Sequence, residues 1–444
     1  MTIDEFIDIL AKDGIAGAEI IEHRRLSPVE PLFASISLNA AVKRSLSDRG
    51  INELYSHQAE AISLIRQGHN VITMTPTASG KSLIYNIPVI ESILANPNDR
   101  ALYIFPLKGL EHDQMKNLNA LMESCLRSFG SDASYRLPAG VVYDGDTTAY
   151  HRKKIRENLP NVIFTNPDML HLAFNTFHKK WENFFRNLRY VIIDEIHTYR
   201  GVFGSHVCHV IRRLRRICNH WGSNPQLIVS TATIANPLEL AETLTGCEFS
   251  LVSKSGAPQS GKHFIFLSPH DSPYTEATRI FLKSIGAGLR TILFTKARKI
   301  TELIYKWSVE RAPLSAHKIR PYRAGFLPSE RRDIEKKLFN GELSGVISTS
   351  ALELGVDIGG LDVCILCGYP GSVSSSWQRA GRVGRKDTES LIVMIPIKDA
   401  LDHYIVSHPS IFFDKSHEAS ICDPDNEKIL RQHLLCAADE LSLK

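Results

Sequence analysis

The sequence predicts an α/β protein of two parallel sheets flanked by helices, with helical extensions at both ends, and three observations predict it. Short apolar, β-rich runs alternate with helical patterns, as expected of strands covered on both faces by crossover helices. The runs fall into two groups separated by a Ser-, Gly- and Pro-rich stretch, residues 254–262, that reads as a linker. A chain of 444 residues also exceeds what one ordinary core organises.

The first group of runs covers 70–74, 101–105, 161–165, 190–194 and 226–230. The second covers 290–294, 345–349, 363–366 and 391–395. The expected division is an N-terminal helical extension over 1–50, a first domain over 51–253, a second over 254–400, and a C-terminal helical extension over 401–444.

Composition narrows the class. A hydrophobic fraction of 43% with 23% charged residues describes a globular chain. The balance of 52 basic against 48 acidic side chains is only weakly basic, so any nucleic-acid track must be local. No apolar run reaches the roughly 18 residues of a membrane helix, and Asp4, Glu5, Asp8 and Asp13 break up the start of the chain. A cytoplasmic location without membrane partners is expected. The eight cysteines form no disulfide framework, and Cys364 and Cys367 lie in an apolar run that reads as a buried strand.

The chemistry begins at residues 75–82, Thr-Pro-Thr-Ala-Ser-Gly-Lys-Ser, between a predicted strand and a helical pattern. Backbone N–H groups of such a loop, with the positive end of the next helix, cradle phosphates. Thr77, Ala78, Ser79 and Gly80 are the cradle residues, Lys81 neutralises the β- and γ-phosphates, and Ser82 is a ligand for Mg²⁺. Two features depart from the pattern: Thr75 replaces a glycine, and Ala78 stands where many such loops carry another. Pro88 within the next helix should kink it.

A second element supports the first. Residues 189–197, Arg-Tyr-Val-Ile-Ile-Asp-Glu-Ile-His, read as an apolar strand ending in adjacent carboxylates. Asp194 can hold Mg²⁺ and Glu195 can polarise an attacking water. Further on, Gln378, Arg379, Arg382 and Arg385 stand among small residues, Gly381 and Gly384 included. Guanidinium forks stabilise a transferring phosphoryl group, and the glycines allow close backbone approach.

In this order the residues resemble the motif set of the superfamily 2 helicases. Tyr55 and Gln58 resemble the adenine-reading glutamine motif, 75–82 motif I, and 105–108 with Gln114 motif Ia. Residues 143–147 and 165–168 resemble the backbone-contacting motifs, Asp194-Glu-Ile-His197 a DExH motif II, and 230–233 motif III with Thr231 inserted. Residues 349–357, with Gly355 and Asp357 on the nucleotide, resemble motif V, and 378–385 motif VI. Residues 75–81, 166–170, 197–206, 369–372, 423–426 and 433–438 look like the YprA/MrfA branch, related to RecQ-like fungal repair helicases.

The resemblance implies tandem RecA-like domains, ATP with Mg²⁺, and 3′→5′ movement on single-stranded DNA, or DNA with a single-stranded tail, linked to repair. Catalytic roles fall to Lys81, Asp194, Glu195, Gln378, Arg382 and Arg385. Backbone grips fall to Pro106, Lys108, Gly145, Thr147 and Thr165 on the first domain and to Thr295 and Thr349 on the second. His197 would couple motif II to motif III. ATP would favour closure of the two domains, because only then does its γ-phosphate meet both sets of residues. Members of the branch continue into a C-terminal domain with a four-cysteine zinc site. Residues 1–444 do not contain it, so no zinc is predicted within them, and that domain or a protein partner is an expected companion. The basic run 211–217 reads as a helix with a solvated outer face rather than a DNA track. Two alternatives stay open: an RNA helicase, and a nucleotide-gated DNA-binding subunit that unwinds nothing.

Overall fold

The computed structural model describes residues 1–12, 18–127, 140–353, 358–384, 388–414 and 417–443. The chain forms two compact units, each drawn from two stretches. The smaller comprises Met1–Pro31 and Pro258–Glu418, the larger Leu32–Ala257 and Ala419–Lys444.

In chain order the strands are β1 (Ala18–Leu26), β2 (Phe33–Ala34), β3 (Leu54–Tyr55), β4 (Val71–Met74), β5 (Arg100–Ile104), β6 (Gly140–Val142), β7 (Val162–Thr165) and β8 (Leu188–Ile193). There follow β9 (Gln226–Thr231), β10 (Ser250–Val252), β11 (Lys262–Pro269), β12 (Thr291–Thr295), β13 (Ile319–Tyr322), β14 (Gly345–Ser348), β15 (Val363–Cys367) and β16 (Ser390–Ile395).

The larger unit orders its sheet β10-β4-β9-β8-β5-β7-β6, with every neighbouring pair parallel. Its central strands are apolar on both faces because helices cover both. Along β5, Ala101 and Tyr103 enter one core while Leu102 and Ile104 enter the other, as a two-residue repeat requires. Parallel strands bring the segments after β4, β8 and β9 to one edge, where α/β sheets carry their sites. The helix Lys81–Ala95 runs through Pro88 as one element.

The smaller unit orders its sheet β1-β11-β16-β15-β12-β14-β13. Only β1 is antiparallel to its neighbour. The helix Ile3–Lys12 lays Ile3, Phe6, Ile7 and Leu10, a helical stripe, onto the same core as Ile265 and Leu267 of β11. Cys364 and Cys367, three residues apart on β15, join opposite cores, and burial pushes each thiol up to about 12.

Two expectations need correction. Residues 1–31 are not a purely helical extension, because β1 follows the helix Ile3–Lys12 and pairs along β11 of the smaller unit; residues 419–444 return to the larger one. The arginines of the helix Gly201–His220 are not a solvated face either. Arg212 donates to the Thr243 carbonyl (2.9 Å) and Arg215 to that of Thr245 (2.8 Å), at the end of the helix Pro237–Thr245. Arg216 donates to the carbonyls of Ala437, Leu441 and Ser442, where the helix Glu427–Glu440 ends. Helix C-termini present unpaired carbonyls and negative dipole ends, which guanidinium groups satisfy. Arg213 is buried and ion-paired with Glu440. Among the described residues, no helix is long and apolar enough to cross a membrane.

Candidate active site

The loop after β4 is closed by its own side chains. The hydroxyls of Thr75 and Ser79 share a buried hydrogen bond of 2.6 Å, so the residue standing in place of glycine braces the loop. Gly80 adopts φ +77°, and a Cβ there would meet Gln58 Nε2 at 2.5 Å. Ala78 adopts φ +62°, a left-handed conformation that costs an L-residue roughly 1–2 kcal/mol. Thr77 is half-buried beside it. Lys81 donates to the carbonyls of Thr75 (2.8 Å) and Pro76 (3.1 Å), which places its ammonium inside the loop. Ser82 follows on the first turn of the helix.

The helix Ser56–Arg66 holds this loop from behind. Gln58 donates from Nε2 to the Gly80 carbonyl (2.9 Å) and accepts at Oε1 from the N–H of Tyr55 (3.0 Å). Tyr55 stacks on Phe33 with ring centroids 5.4 Å apart. His57, which the motif reading passed over, is fully buried between the Ser79 carbonyl (3.1 Å) and the N–H of Gly256 (3.1 Å).

Asp194 and Glu195 lie at the end of β8. Asp194 is buried and accepts from the Ser230 hydroxyl, from the N–H of Glu195 (2.9 Å) and from the Tyr85 hydroxyl (3.3 Å). Burial first, and then the neighbouring Glu195, push its carboxyl above the ordinary aspartate value. Glu195 adopts φ +52°, and its Oε2 is buried without a hydrogen bond. His197 Nδ1 lies 3.4 Å from that oxygen, accepts from the N–H of Ala232 (3.3 Å) and stands 3.4 Å from the Thr231 hydroxyl. The histidine thus touches both the acidic pair and the segment after β9.

Gln378 and Arg382 lie in the smaller unit. Gln378 is buried near the end of the helix Val373–Ala380. Arg382 donates to the backbone carbonyl of Glu353 (2.7 Å), while Arg379 is ion-paired with the Glu353 side chain (2.8 Å). Gly384 adopts φ +103°, and a Cβ there would meet Ser260 Oγ at 2.5 Å. Gly381 is ordinary right-handed backbone at φ −71°, so its conformation does not call for glycine. Arg385, Gly355 and Asp357 lie outside the described residues.

The expected grips divide by exposure. Lys108 opens the helix Lys108–Arg127, is exposed and pairs with Asp146 (2.8 Å). Gly145 is exposed, Pro106 half-buried, and Thr349 half-buried just before the turn Ser350–Leu352. Thr147 donates its hydroxyl to Asp144 (2.9 Å). Two are buried: Thr165 has its hydroxyl on the Tyr143 carbonyl (2.8 Å), and Thr295 lies against the Thr301 hydroxyl (2.7 Å). Their side chains brace the ends of β7 and β12. Trp377 packs with Phe264 and Phe412, and Tyr199 is fully buried, so both are core aromatics.

Three further residues were passed over. Tyr85 sits one helical turn beyond Lys81, and that spacing was the available signal. Ser230 was visible only as part of a motif. Glu111 is buried beneath Asn166, which donates to it at 3.1 Å, and burial pushes its carboxyl up to about 7.

Known proteins share this arrangement. The DEAD/DEAH box helicase family matches residues 55–241, and the helicase conserved C-terminal domain matches 275–387. An ATP-dependent helicase of Bacillus subtilis, YprA, is 46% identical over 92% of this chain and 55% of its own length. The ATP-dependent helicase HRQ1 of Saccharomyces cerevisiae is 37% identical over 88% of this chain and 37% of its own. The chain thus spans about half or less of the length of these relatives. The solved DUF1998 helicase MrfA bound to DNA and AMPPNP is 44% identical, covering 99% of this chain and 62% of that one, with a TM-score of 0.92. More distant DEAD-box structures share the tandem RecA-like fold at 16% identity. With these matches added to the fold and the phosphate loop, the chain belongs to the superfamily 2 helicases, in the YprA/MrfA-like branch.

Proposed function

We propose that this chain is the motor of an ATP-driven DNA helicase, moving 3′→5′ along single-stranded DNA, or DNA with a single-stranded tail, in the service of repair. The observation that carries the reading is the meeting of the 75–82 loop with Asp194 and Glu195 at one sheet edge. The relative solved with both DNA and AMPPNP supports DNA as the track and ATP as the fuel. A C-terminal zinc domain or a protein partner would complete the machine.

Lys81 neutralises the β- and γ-phosphates, and the loop N–H groups bind their oxygens. Two adjacent carboxylates, Asp194 buried and Glu195 with a buried oxygen that accepts no hydrogen bond, suit a divalent cation. Asp194 and Ser82 would hold Mg²⁺ there, which supplies charge neutralisation when bound. Glu195 accepts a proton from the attacking water, and its strained backbone holds the carboxylate toward that task. Gln378, Arg382 and Arg385 supply donors and positive charge to the phosphoryl group in transfer. His197 links the acidic pair to the segment after β9. Lys108, Gly145, Thr147, Pro106 and Thr349 grip the nucleic-acid backbone, making binding independent of sequence and sensitive to salt.

Steady-state ATP hydrolysis with single-stranded DNA, single-stranded RNA and duplex tests the proposal. Stimulation by single-stranded DNA is the expected result. Equal stimulation by RNA removes the DNA assignment, and hydrolysis without strand displacement from a tailed duplex reduces the motor to a translocase.

A further inference from the structure

In the smaller unit three side chains from distant parts of the sequence converge outside the nucleotide site. Asp4 comes from the first turn of the helix Ile3–Lys12, His263 from β11, and Glu389 from the residue before β16. His263 Nε2 lies 3.5 Å from Asp4 Oδ1 and 3.0 Å from Glu389 Oε2, and all three atoms fall within 4.8 Å of one another. Four-coordinate zinc with bonds of about 2.0–2.1 Å separates its ligand atoms by about 3.3 Å, so the two spacings from His263 bracket a tetrahedral edge.

The groups behind the trio are also arranged for ligation. His263 is 2% exposed, and its other ring nitrogen shares a 2.9 Å hydrogen bond with His23 Nε2. Arg25 takes Glu389 Oε1 at 2.7 Å, leaving Oε2 turned toward the imidazole. Such outer partners fix ring orientation and carboxylate geometry at metal centres. A single proton on His263 Nε2 can serve one of the two facing carboxylates, whereas a divalent cation serves all three groups. Asp4 is 62% exposed, which leaves solvent access for a fourth ligand.

We propose that Asp4, His263 and Glu389 form a binding site for a divalent transition-metal ion, zinc by its ligand chemistry. One imidazole nitrogen with two carboxylate oxygens suits zinc better than calcium or magnesium, which favour all-oxygen sets. The ion clips the N-terminal helix to β11 and to the start of β16.

The test uses the whole 444-residue chain, stripped with a chelator and titrated calorimetrically with zinc chloride in the absence of nucleotide. Asp4→Asn and Glu389→Gln remove ligands; Asp194→Asn controls for zinc taken up at the nucleotide site. The expected result is one zinc per chain that survives in Asp194→Asn and weakens at least about 10-fold in both ligand variants. Zinc should also slow amide exchange over Ile3–Lys12 in the unaltered chain and not in Asp4→Asn. Asp4 is largely exposed, so that variant keeps the fold. Zinc affinity in Asp4→Asn and Glu389→Gln equal to that of the unaltered chain, or no uptake at micromolar zinc, overturns the site.

Discussion

In the larger unit the chemistry sits on strained backbone, whereas in the smaller unit it sits on tied-down side chains. Ala78 and Glu195 are the non-glycine residues with positive φ among those described, and both belong to the larger unit, one in the phosphate loop and one in the acidic pair. In the smaller unit every described positive-φ residue is a glycine. There Glu353 does the positioning, its carboxylate on Arg379 and its carbonyl under Arg382. The difference follows from charge. Carboxylates and loop amides must be aimed by backbone, because their side chains are short. Arginines can be aimed by hydrogen bonds because their forks are long and planar.

The largest expected effect breaks the strained side. Glu195→Gln should keep nucleotide binding and lower ATP turnover about 100- to 1,000-fold, while Lys81→Ala should lose nucleotide binding itself. Phosphate release and nucleotide titration separate the two, and normal turnover in Glu195→Gln sinks the water-activation role. Next, Glu353→Ala should destabilise the smaller unit by about 3 kcal/mol, since it strands a buried guanidinium. Urea unfolding reads this, and an unchanged midpoint means that the Glu353 carboxylate does not hold Arg379. Smaller still, Ala78→Gly relieves left-handed strain and gives back chain entropy, for a net gain of about 0.5–1 kcal/mol. A lower melting temperature in that variant contradicts the strain.

The smallest effect concerns pH. His433 on the helix Glu427–Glu440 faces His171, His206, His209 and Arg213, with Glu440 on the far side of Arg213. Burial, then Arg213 and the other imidazoles, lower it to about 3. Its folded value lies below the free imidazole value of about 6.5. The neutral ring therefore stabilises the docking fully above that value, and the contribution shrinks as pH falls toward 3. Protection of the amides over 427–440, taken relative to their intrinsic exchange rates at each pH, should fall at pH 5 relative to pH 7.5; identical protection removes the assignment.

Central strands other than β11 were legible, and edges were not. β4, β5, β8, β12 and β15 are apolar runs because both of their faces are covered, and each was located within two residues. β1 alternates charge with burial, β13 contains Pro321, and β6 has three residues; none resembles a buried run. The phosphate loop and acidic pair could be read because their chemistry admits few residue types. The arginines of Gly201–His220 could not, because their partners are backbone carbonyls of helices remote in sequence. The burial of Thr165 and Thr295 was not legible for a related reason: a hydroxyl at a strand end has the same appearance in sequence whether it turns outward or braces its own strand.

The antiparallel edge of the smaller unit's sheet has a consequence for biosynthesis. β1 leaves the ribosome before residues 32–257 of the larger unit, and its partner β11 follows only after Ala257. At about 5–20 residues per second the strand waits roughly ten to fifty seconds, unpaired, beside a domain that is already folding. Glu19, Glu22, Arg24 and Arg25 give it charge on both faces during that interval. Those charges make it a poor template for premature pairing, so the same residues that hid β1 from sequence reading guard the nascent chain.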